Sequence, residues 1–566
     1  MQGVADVAGA GGRAAAWAAG RPRVLLALLC IVAMLPGFFA LPPLDRDESR
    51  FVQATKQMLE TGDLIDIRFQ DDPRWKKPVG IHWMQAVAVT AAEPVMADAR
   101  AAVWVYRIPS LAGAILAVLF AYQAGLALVG RGSAFIGAAA LGLAAIVIGE
   151  AKIAKTDAAL LSSIVAAQAA LARVWIVARA GGTAPGTGNA VLFWAALGIG
   201  ILIKGPIAPM VVGLTVLALV AVTRQGGWLA HLRPWPMALV MLAIVLPWMT
   251  AIAVKTGGAF FTEAIGADLA PKLAGTQERH GGPPGFYLVT VWATFFPGSL
   301  LLLPALWDAW RRRGEPAIAF LWAWLIPSWL VFEFAPTKLP HYTMPLYPAL
   351  ALMVGAYAVR IAGPARDLAT GALATVSAGL WALVALLLAV AVAALPALYG
   401  SGMAAVPVLL ALIILAMAAL TLWLWRERQC ETMLVAAAAT AIALYAAVFG
   451  PVLSAVDDLK MSPRAAALVS AAAGGTPVRV AAAGYAEPSL VFLLGTDTIL
   501  GTGAPVADAL ADGSAGLALV EAPEEEAFRA TAAGRGLTLE ALGTIEGIAY
   551  SDGDDRRTLT LWRKQP

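Results

Sequence analysis

Hydrophobic and polar positions divide the chain into long apolar runs separated by short polar breaks. Runs able to cross about 30 Å of hydrocarbon fall at 24–42, 106–130, 133–149, 157–178, 189–203, 205–222, 235–253, 286–305, 316–332, 343–360, 370–397, 403–425 and 432–452, thirteen in all. The stretch 79–96 is apolar but carries His82, Gln85, Glu93 and Pro94, and is read as lying along the membrane interface. Between runs one and two, residues 47–60 alternate with helical period. Phe51, Val52, Thr55, Met58 and Leu59 form one stripe, with Glu48, Gln53, Lys56, Gln57 and Glu60 opposite, which predicts an amphipathic interfacial helix ended by Thr61-Gly62-Asp63. Beyond about 454 the pattern becomes that of a small soluble α/β domain. Strands are expected at 478–483, 517–521 and 558–562, and helices at 490–494 and 524–533. The domains are thus a cytoplasmic tail (1–23), a transmembrane domain (24–453) whose first external loop spans 43–105, and a soluble domain (454–566).

Composition supports this fold class, an all-α polytopic membrane protein with a small C-terminal α/β domain. Of 566 residues, 60% are hydrophobic and 14% charged, with mean hydropathy +0.75, more apolar surface than a soluble protein of this size buries. Arg21 and Arg23 precede the first run, but that run is long for a signal sequence and Phe-Phe-Ala-Leu-Pro-Pro is a poor cleavage site, so it is read as a retained span. Cys30 and Cys430 are read as unpaired thiols, and the scattered histidines 82, 231, 280 and 341 form no zinc-ligand pattern. The glycine-rich stretch 495–503 lacks phosphate-loop spacing and is read as a turn. A net charge of +3 says little by itself, and no nucleic-acid partner is expected.

Basic residues orient the spans. With 79–96 kept on the surface, Arg21/Arg23, Arg131, Arg179, Arg224/Arg233, Arg311–Arg313, Arg360/Arg366 and Arg426/Arg428 all fall on one side, which is the cytoplasmic side by the excess of Lys and Arg there. The N-terminus is then cytoplasmic and the C-terminal domain outside. The same parity gathers the remaining charge on the outer face: Asp47, Glu48, Arg50, Lys76 and Lys77; Glu150, Lys152, Lys155 and Asp157; Lys204; Asp268, Lys272, Glu278, Arg279 and His280; Lys338 and His341. Span centres are nearly free of charge, unlike those of a flippase or transporter, which would carry ionisable groups at mid-membrane. A surface site suits a substrate with a polar head and a lipid tail: Lys and Arg for a phosphate, carboxylates for activating a hydroxyl or steadying a cationic sugar-like transition state. Each residue also has a plain structural role open to it. Asp47 and Asp157 suit helix caps, Lys77 and Lys338 suit snorkelling, Lys204 suits a helix end, and His82, His341 and Tyr342 suit an interfacial belt.

In order along the chain stand Asp47-Glu48-Ser49-Arg50-Phe51, Thr61-Gly62-Asp63, Lys77-Pro78, His82-Trp83, Arg107-Ile-Pro-Ser, Lys155-Thr156-Asp157, Lys204-Gly205-Pro206, Leu246-Pro247-Trp248, His280-Gly-Gly-Pro-Pro, Thr337-Lys338-Leu339-Pro340-His341-Tyr342 and Tyr485-Ala-Glu-Pro-Ser. This series resembles the lipid A aminoarabinose transferase (ArnT-like) family, within the protein O-mannosyltransferase superfamily. The resemblance implies a C-type glycosyltransferase fold with thirteen helices in the bacterial inner membrane and a periplasmic C-terminal domain. It also implies inverting transfer of a sugar, 4-amino-4-deoxy-L-arabinose, from undecaprenyl phosphate to a lipid A phosphate, with no nucleotide sugar, metal or other cofactor. By motif, Asp47 and Asp157 take the catalytic acidic positions. Lys77, Arg50 and Tyr342 fall at the donor phosphate, and Lys338, His341, Lys204, His82 and Glu48 join them as substrate-binding candidates. Three positions depart: Val79 replaces a second proline, His82 a tyrosine, and Lys272 an expected arginine. A protein O-mannosyltransferase-like acceptor stays open as an alternative. The expected partners are the lipid-linked donor, lipid A or another acceptor and membrane lipids, around a monomer.

Overall fold

The computed structural model describes residues 20–264, 266, 282–363, 371–400, 402, 404–551 and 555–565. Each of the thirteen apolar runs falls on a helix or a bent helix pair. Among the described residues, nine helices are individually long and apolar enough to cross a membrane, two bent pairs form longer apolar elements, and two helices are apolar but shorter. In chain order the membrane part comprises α1 (Pro22–Met34), α2 (Asp47–Thr61), a hairpin of β1 (Arg68–Phe69) and β2 (Asp72–Pro73), α3 (Gly80–Ala92), α4 (Val103–Leu128), α5 (Arg131–Gly142), α6 (Ala145–Ala151), α7 (Thr156–Ala180), α8 (Thr187–Lys204), α9 (Ile207–Thr223), α10 (Pro234–Thr256), α11 (Phe286–Thr294), α12 (Leu302–Arg311), α13 (Pro316–Phe334), α14 (Tyr347–Ala362), α15 (Ala372–Tyr399), α16 (Ala405–Arg426) and α17 (Cys430–Ala447).

The run at 286–305 is not one straight span: the chain turns by 119° between α11 and the helical stretch Gly298–Arg311. Pro297 and Gly298 occupy the turn and explain it, since proline cannot continue the hydrogen-bond ladder. α5 and α6 meet at 59°. Both breaks leave carbonyls without a helical partner, which hydrocarbon does not forgive. The Tyr445 hydroxyl sits between them, 2.7 Å from the Leu143 carbonyl and 2.9 Å from that of Phe296, and the Ala145 N–H donates to Phe296 at 3.1 Å. Glycines bring α5 and α14 together. A Cβ at Gly355 would fall 2.2 Å from the Ser133 carbonyl oxygen, and one at Gly137 would fall 2.7 Å from that of Ala351, so the two backbones touch.

α3 is 13 residues long and too short to span, as 79–96 was read. α2 begins at Asp47 and ends at Gly62 with φ 75°, the left-handed cap that glycine supplies. Its surroundings differ from the expected interfacial helix. Glu48 and Gln53, assigned to the polar stripe, are 1% and 0% exposed. The reason is the C-terminal domain. Thr496 accepts from Gln53 Nε2 at 2.7 Å and donates to Glu60 Oε2 at 2.6 Å, Lys56 donates to the Phe492 carbonyl at 3.1 Å, and Gln70 donates to the Thr498 carbonyl at 2.6 Å. α2 is therefore held between the membrane helices and a protein lid rather than between lipid and water.

That domain contains α18 (Met461–Ala472), β3 (Val480–Ala483), α19 (Pro488–Leu494), β4 (Ile499–Gly501), α20 (Gly503–Ala511), β5 (Leu517–Glu521), α21 (Glu525–Gly534), β6 (Leu539–Ile548) and β7 (Arg556–Lys564). The strands run in the order β4-β3-β5-β7-β6. β3 is parallel to β4 and β5, and β7 is antiparallel to β5 and β6. α18 and α19 cover one face and α20 and α21 the other. The glycine-rich stretch at 495 is the turn before β4, as expected, and it carries the Thr496 contact to α2.

Candidate active site

The ends of four segments converge on one polar cluster. Lys155 is extended (φ −139°, ψ −173°) and α7 starts immediately after it, so Asp157 lies in the first turn, where the helix dipole favours a carboxylate. α8 ends at Lys204, and Gly205 (φ 60°) turns the chain into Pro206 and α9. Lys204 Nζ donates to Asp157 Oδ1 at 2.6 Å. Lys155 Nζ lies 3.0 Å from Glu150 Oε1, at the end of α6, and 3.7 Å from Asp157 Oδ2. His341, in the 3₁₀ turn Pro340–Leu346, stands 3.7 Å from Glu150 and 3.9 Å from Asp157. Burial alone would push the Lys155 ammonium down, but the Glu150 and Asp157 carboxylates outweigh it and hold Lys155 above the usual lysine range.

A cavity of about 380 Å³ opens beside this cluster. Its polar end is formed by Lys76, Lys77, Asp157, Lys204, His341 and Tyr342. Leu160, Ile207, Met210, Phe261, Phe332 and Met344 are among its apolar walls. Three ammonium groups face one carboxylate, so the head of the cavity suits an anion and its body suits a hydrocarbon chain. The Tyr342 ring receives Lys204 Nζ at 5.7 Å from its centroid and meets His341 edge-on at 5.0 Å. Asp47 is exposed at the start of α2 and within electrostatic reach of Lys155 and His341. Arg50 lies three residues on, on the same helical face, and is half-buried.

The structure thus brings together Asp157, Lys204, His341, Tyr342 and Lys77, with Asp47 and Arg50 on the neighbouring helix. Lys338 lines no part of the cavity; its ammonium donates to the Gly282 carbonyl at 2.8 Å. Two candidates for substrate contact face elsewhere. Glu48 is enclosed with Arg107, both side chains 0% exposed. Its Oε1 accepts from Arg107 Nε at 2.8 Å and its Oε2 from the Arg107 terminal nitrogen at 2.7 Å. Glu48 also takes the Ala154 and Leu44 N–H groups, and Arg107 donates to the Leu41 and Pro42 carbonyls. This pair fastens the segment before α2 to α4 and to the segment carrying Lys155, which is a scaffolding role. His82 is 1% exposed, with Nδ1 2.8 Å from Thr55 Oγ1. Thr55 has one proton, directed to Gln85 Oε1 at 2.7 Å, so His82 carries its proton on Nδ1. Burial, helped by the Arg74 charge, lowers His82 to about 3, and the ring stays neutral. Lys76 and Glu150 belong to the site although only their clustering in sequence marked them, and Lys155, quoted only within the motif Lys155-Thr156-Asp157, joins them. Lys272 and His280 lie outside the described residues.

Comparison with known proteins follows the same lines. A family model described as dolichyl-phosphate-mannose-protein mannosyltransferase matches residues 90–259. An undecaprenyl phosphate-alpha-4-amino-4-deoxy-L-arabinose arabinosyl transferase of Pseudomonas paraeruginosa is 29% identical over 327 residues, 56% of this chain and 57% of that protein. Its counterpart in Erwinia tasmaniensis is 27% identical over 353 residues, 61% of each chain. The matched part is thus about three fifths of each relative's length. In structure, the chain is similar to ArnT from Cupriavidus metallidurans. The TM-score is 0.73 against the crystal structure bound to undecaprenyl phosphate, at 18% identity and covering 95% of this chain and 97% of that one. It is 0.74 against the apo state, at 19% identity and covering 97% and 98%. The fold is that of ArnT, a multi-span membrane protein with a C-terminal sheet domain, and the resemblance read from the sequence motifs holds.

Proposed function

We propose that this chain, built on the ArnT fold, is an inverting glycosyltransferase. It moves 4-amino-4-deoxy-L-arabinose from undecaprenyl phosphate to a phosphate of lipid A at the outer face of the inner membrane, with the C-terminal domain in the periplasm. The observation that carries the reading is the cavity of cationic head and apolar body, which fits a polyprenyl phosphate leaving group better than any soluble sugar nucleotide. The donors named for the curated relatives support the same class of substrate.

In this mechanism the donor chain lies along the apolar wall and its phosphate sits among Lys77, Lys76 and Lys204, with Tyr342 as a neutral hydrogen-bonding neighbour. The phosphate leaves the anomeric carbon as an anion, and cations in a low-dielectric site favour its departure. Asp157 is ion-paired, so its part is to hold Lys204 toward the phosphate and keep His341 in place. Asp47, without an ion-pair partner among the described residues, faces the sugar. A phosphate acceptor is already an anion and needs no general base. Asp47 then pairs with the sugar's ammonium group or steadies oxocarbenium character at the reacting carbon. Arg50, on the same face, adds a further cation for the donor phosphate.

The test is mass spectrometry of lipid A from cells with and without the protein. A pentosamine-sized addition to a phosphate supports the reading, and an unchanged spectrum ends it. Asp47→Asn and Lys77→Ala are each expected to abolish transfer while the protein still accumulates in the membrane. Wild-type activity in Asp47→Asn removes Asp47 from the chemistry. The mannosyltransferase match over residues 90–259 favours one second reading, hexose transfer to a hydroxyl, in which Asp47 is the base and a hexose-sized addition appears instead.

A further inference from the structure

Two residues before Asp47, the chain enters a seam with the C-terminal domain. The Asp45 N–H donates to the Tyr550 hydroxyl at 2.7 Å. Ser489 lies beside the Asp45 carboxyl and favours its charged form. Glu487 lies close by, 8% exposed, with Oε1 taking the Ser551 hydroxyl. One oxygen of each carboxyl, Asp45 Oδ1 and Glu487 Oε2, is buried with no hydrogen-bond partner among the described residues. Behind them Ser489, Ser462 and Tyr485 form a hydroxyl chain with separations of 2.6 and 2.9 Å.

Between this anchored residue and Asp47 stands Arg46, with φ 57° and ψ −84°. A side chain in that region is strained, and such strain persists only where the surroundings impose it. On the far side the turn is pinned by Glu48, through Arg107 and the Leu44 N–H, and by Ser49 Oγ on the Leu44 carbonyl at 2.6 Å. On the near side Leu44 is tied back to α2 by those same contacts, and Asp45 itself is held by the Tyr550 hydroxyl of the C-terminal domain.

We propose that Tyr550, Ser489 and Glu487 are positioning residues of the transferase site: by anchoring Asp45 they impose the Arg46 turn that aims Asp47, which makes the C-terminal domain a working part of the active site. This rests on the transferase reading above. The seam also links that aim to pH. Burial raises the Asp45 carboxyl to about 7; the Glu487 charge adds to this, and Ser489 and Arg46 oppose it. Tyr485 and Tyr550 are the other titratable groups facing it. The docked seam therefore binds a proton that free Asp45 gives up near 3.8. Anchoring weakens as pH rises from there, and the neutral form is lost through about 7.

The experiment compares the full-length wild type with Tyr550→Phe, Glu487→Gln, Asp45→Asn and the double variant Arg46→Gly/Tyr550→Phe. Tyr550→Phe is expected to lower kcat about 10- to 100-fold with donor KM unchanged. Arg46→Gly should restore most of that loss, because glycine adopts the turn without an anchor. Wild-type kcat should fall as pH rises through about 7. Asp45→Asn, which holds a hydrogen-bond donor at every pH, should lack that limb, and Glu487→Gln, which removes a neighbouring charge, should move it to lower pH. Hydrogen exchange over residues 43–50, read without substrate, should quicken in Tyr550→Phe. Unchanged kcat and exchange in Tyr550→Phe overturn the proposal, as does a kcat loss that Arg46→Gly leaves in place. A wild type that transfers no sugar overturns the transferase reading instead, and the exchange measurement then decides the anchor by itself.

Discussion

Asp47 and Glu48 are neighbours in sequence and opposites in environment. One helical step, 100°, separates a carboxylate at the rim of the site from one with no exposure at all. Glu48 is tolerable there because Arg107 meets it bidentately and two backbone N–H groups complete its shell. Removing one partner strands the other, so Arg107→Ala or Glu48→Gln is expected to cost about 3–5 kcal/mol. Thermal unfolding in detergent should register that loss and leave Asp47→Asn at the wild-type midpoint. His82 makes a second case. Its folded value near 3 lies below the unfolded 6.5, so its neutral burial stabilises above 6.5 and that stability is lost as pH falls toward 3. The loss is at most about 1.4 kcal/mol per pH unit. His82→Gln should melt with a flatter pH dependence below 6.5. Neither fate was legible in the sequence, because the partner of Glu48 lies 59 residues away and that of His82 lies 27 away. Asp157, Lys204, His341 and Tyr342 were legible, since each stands at a span boundary where a charge or ring has few purely apolar neighbours.

At the scale of elements, periodicity found the membrane helices because an apolar run long enough to cross a bilayer has no other common explanation. It found β3 and β5 from their runs of Val, Leu and Ala, and β7 from the alternation Thr-Leu-Thr-Leu-Trp. It missed β4, only three residues long, and β6, Leu-Glu-Ala-Leu-Gly-Thr-Ile-Glu-Gly-Ile, whose glycines and acids are poor strand formers. The glycines of β6 have a packing reason. A Cβ at Gly543 would fall 3.0 Å from Leu468, and one at Gly547 would fall 2.6 Å from Met461, so α18 rests directly on the strand. Gly547→Val should destabilise the C-terminal domain by about 1–3 kcal/mol, measurable as faster proteolysis of the tail with the membrane part intact. The stripe on α2 was read correctly and its environment was not, because amphipathicity reports two faces and cannot say that the polar one meets protein.

For the whole molecule, the cavity makes a thermodynamic prediction. A ligand that binds only the folded state raises stability by RT ln(1 + [L]/Kd), about 2.7 kcal/mol at a hundredfold excess over Kd. Undecaprenyl phosphate should raise the melting temperature in a dose-dependent way, inorganic phosphate should do so weakly at best, and Lys204→Ala should blunt the response.

The glycine contact between α5 and α14 has a mechanical consequence. With the Ser133 carbonyl 2.2 Å from where a Cβ at Gly355 would stand, these helices have no side-chain cushion to compress, and their separation is set by backbone against backbone. α10 is largely unburied by the rest of the protein and contributes Met249 to the cavity wall. Stiffness is therefore unequally shared: α5 and α14 are locked backbone to backbone away from the cavity, and the breathing that lets a long lipid in or out falls to the helices that line it.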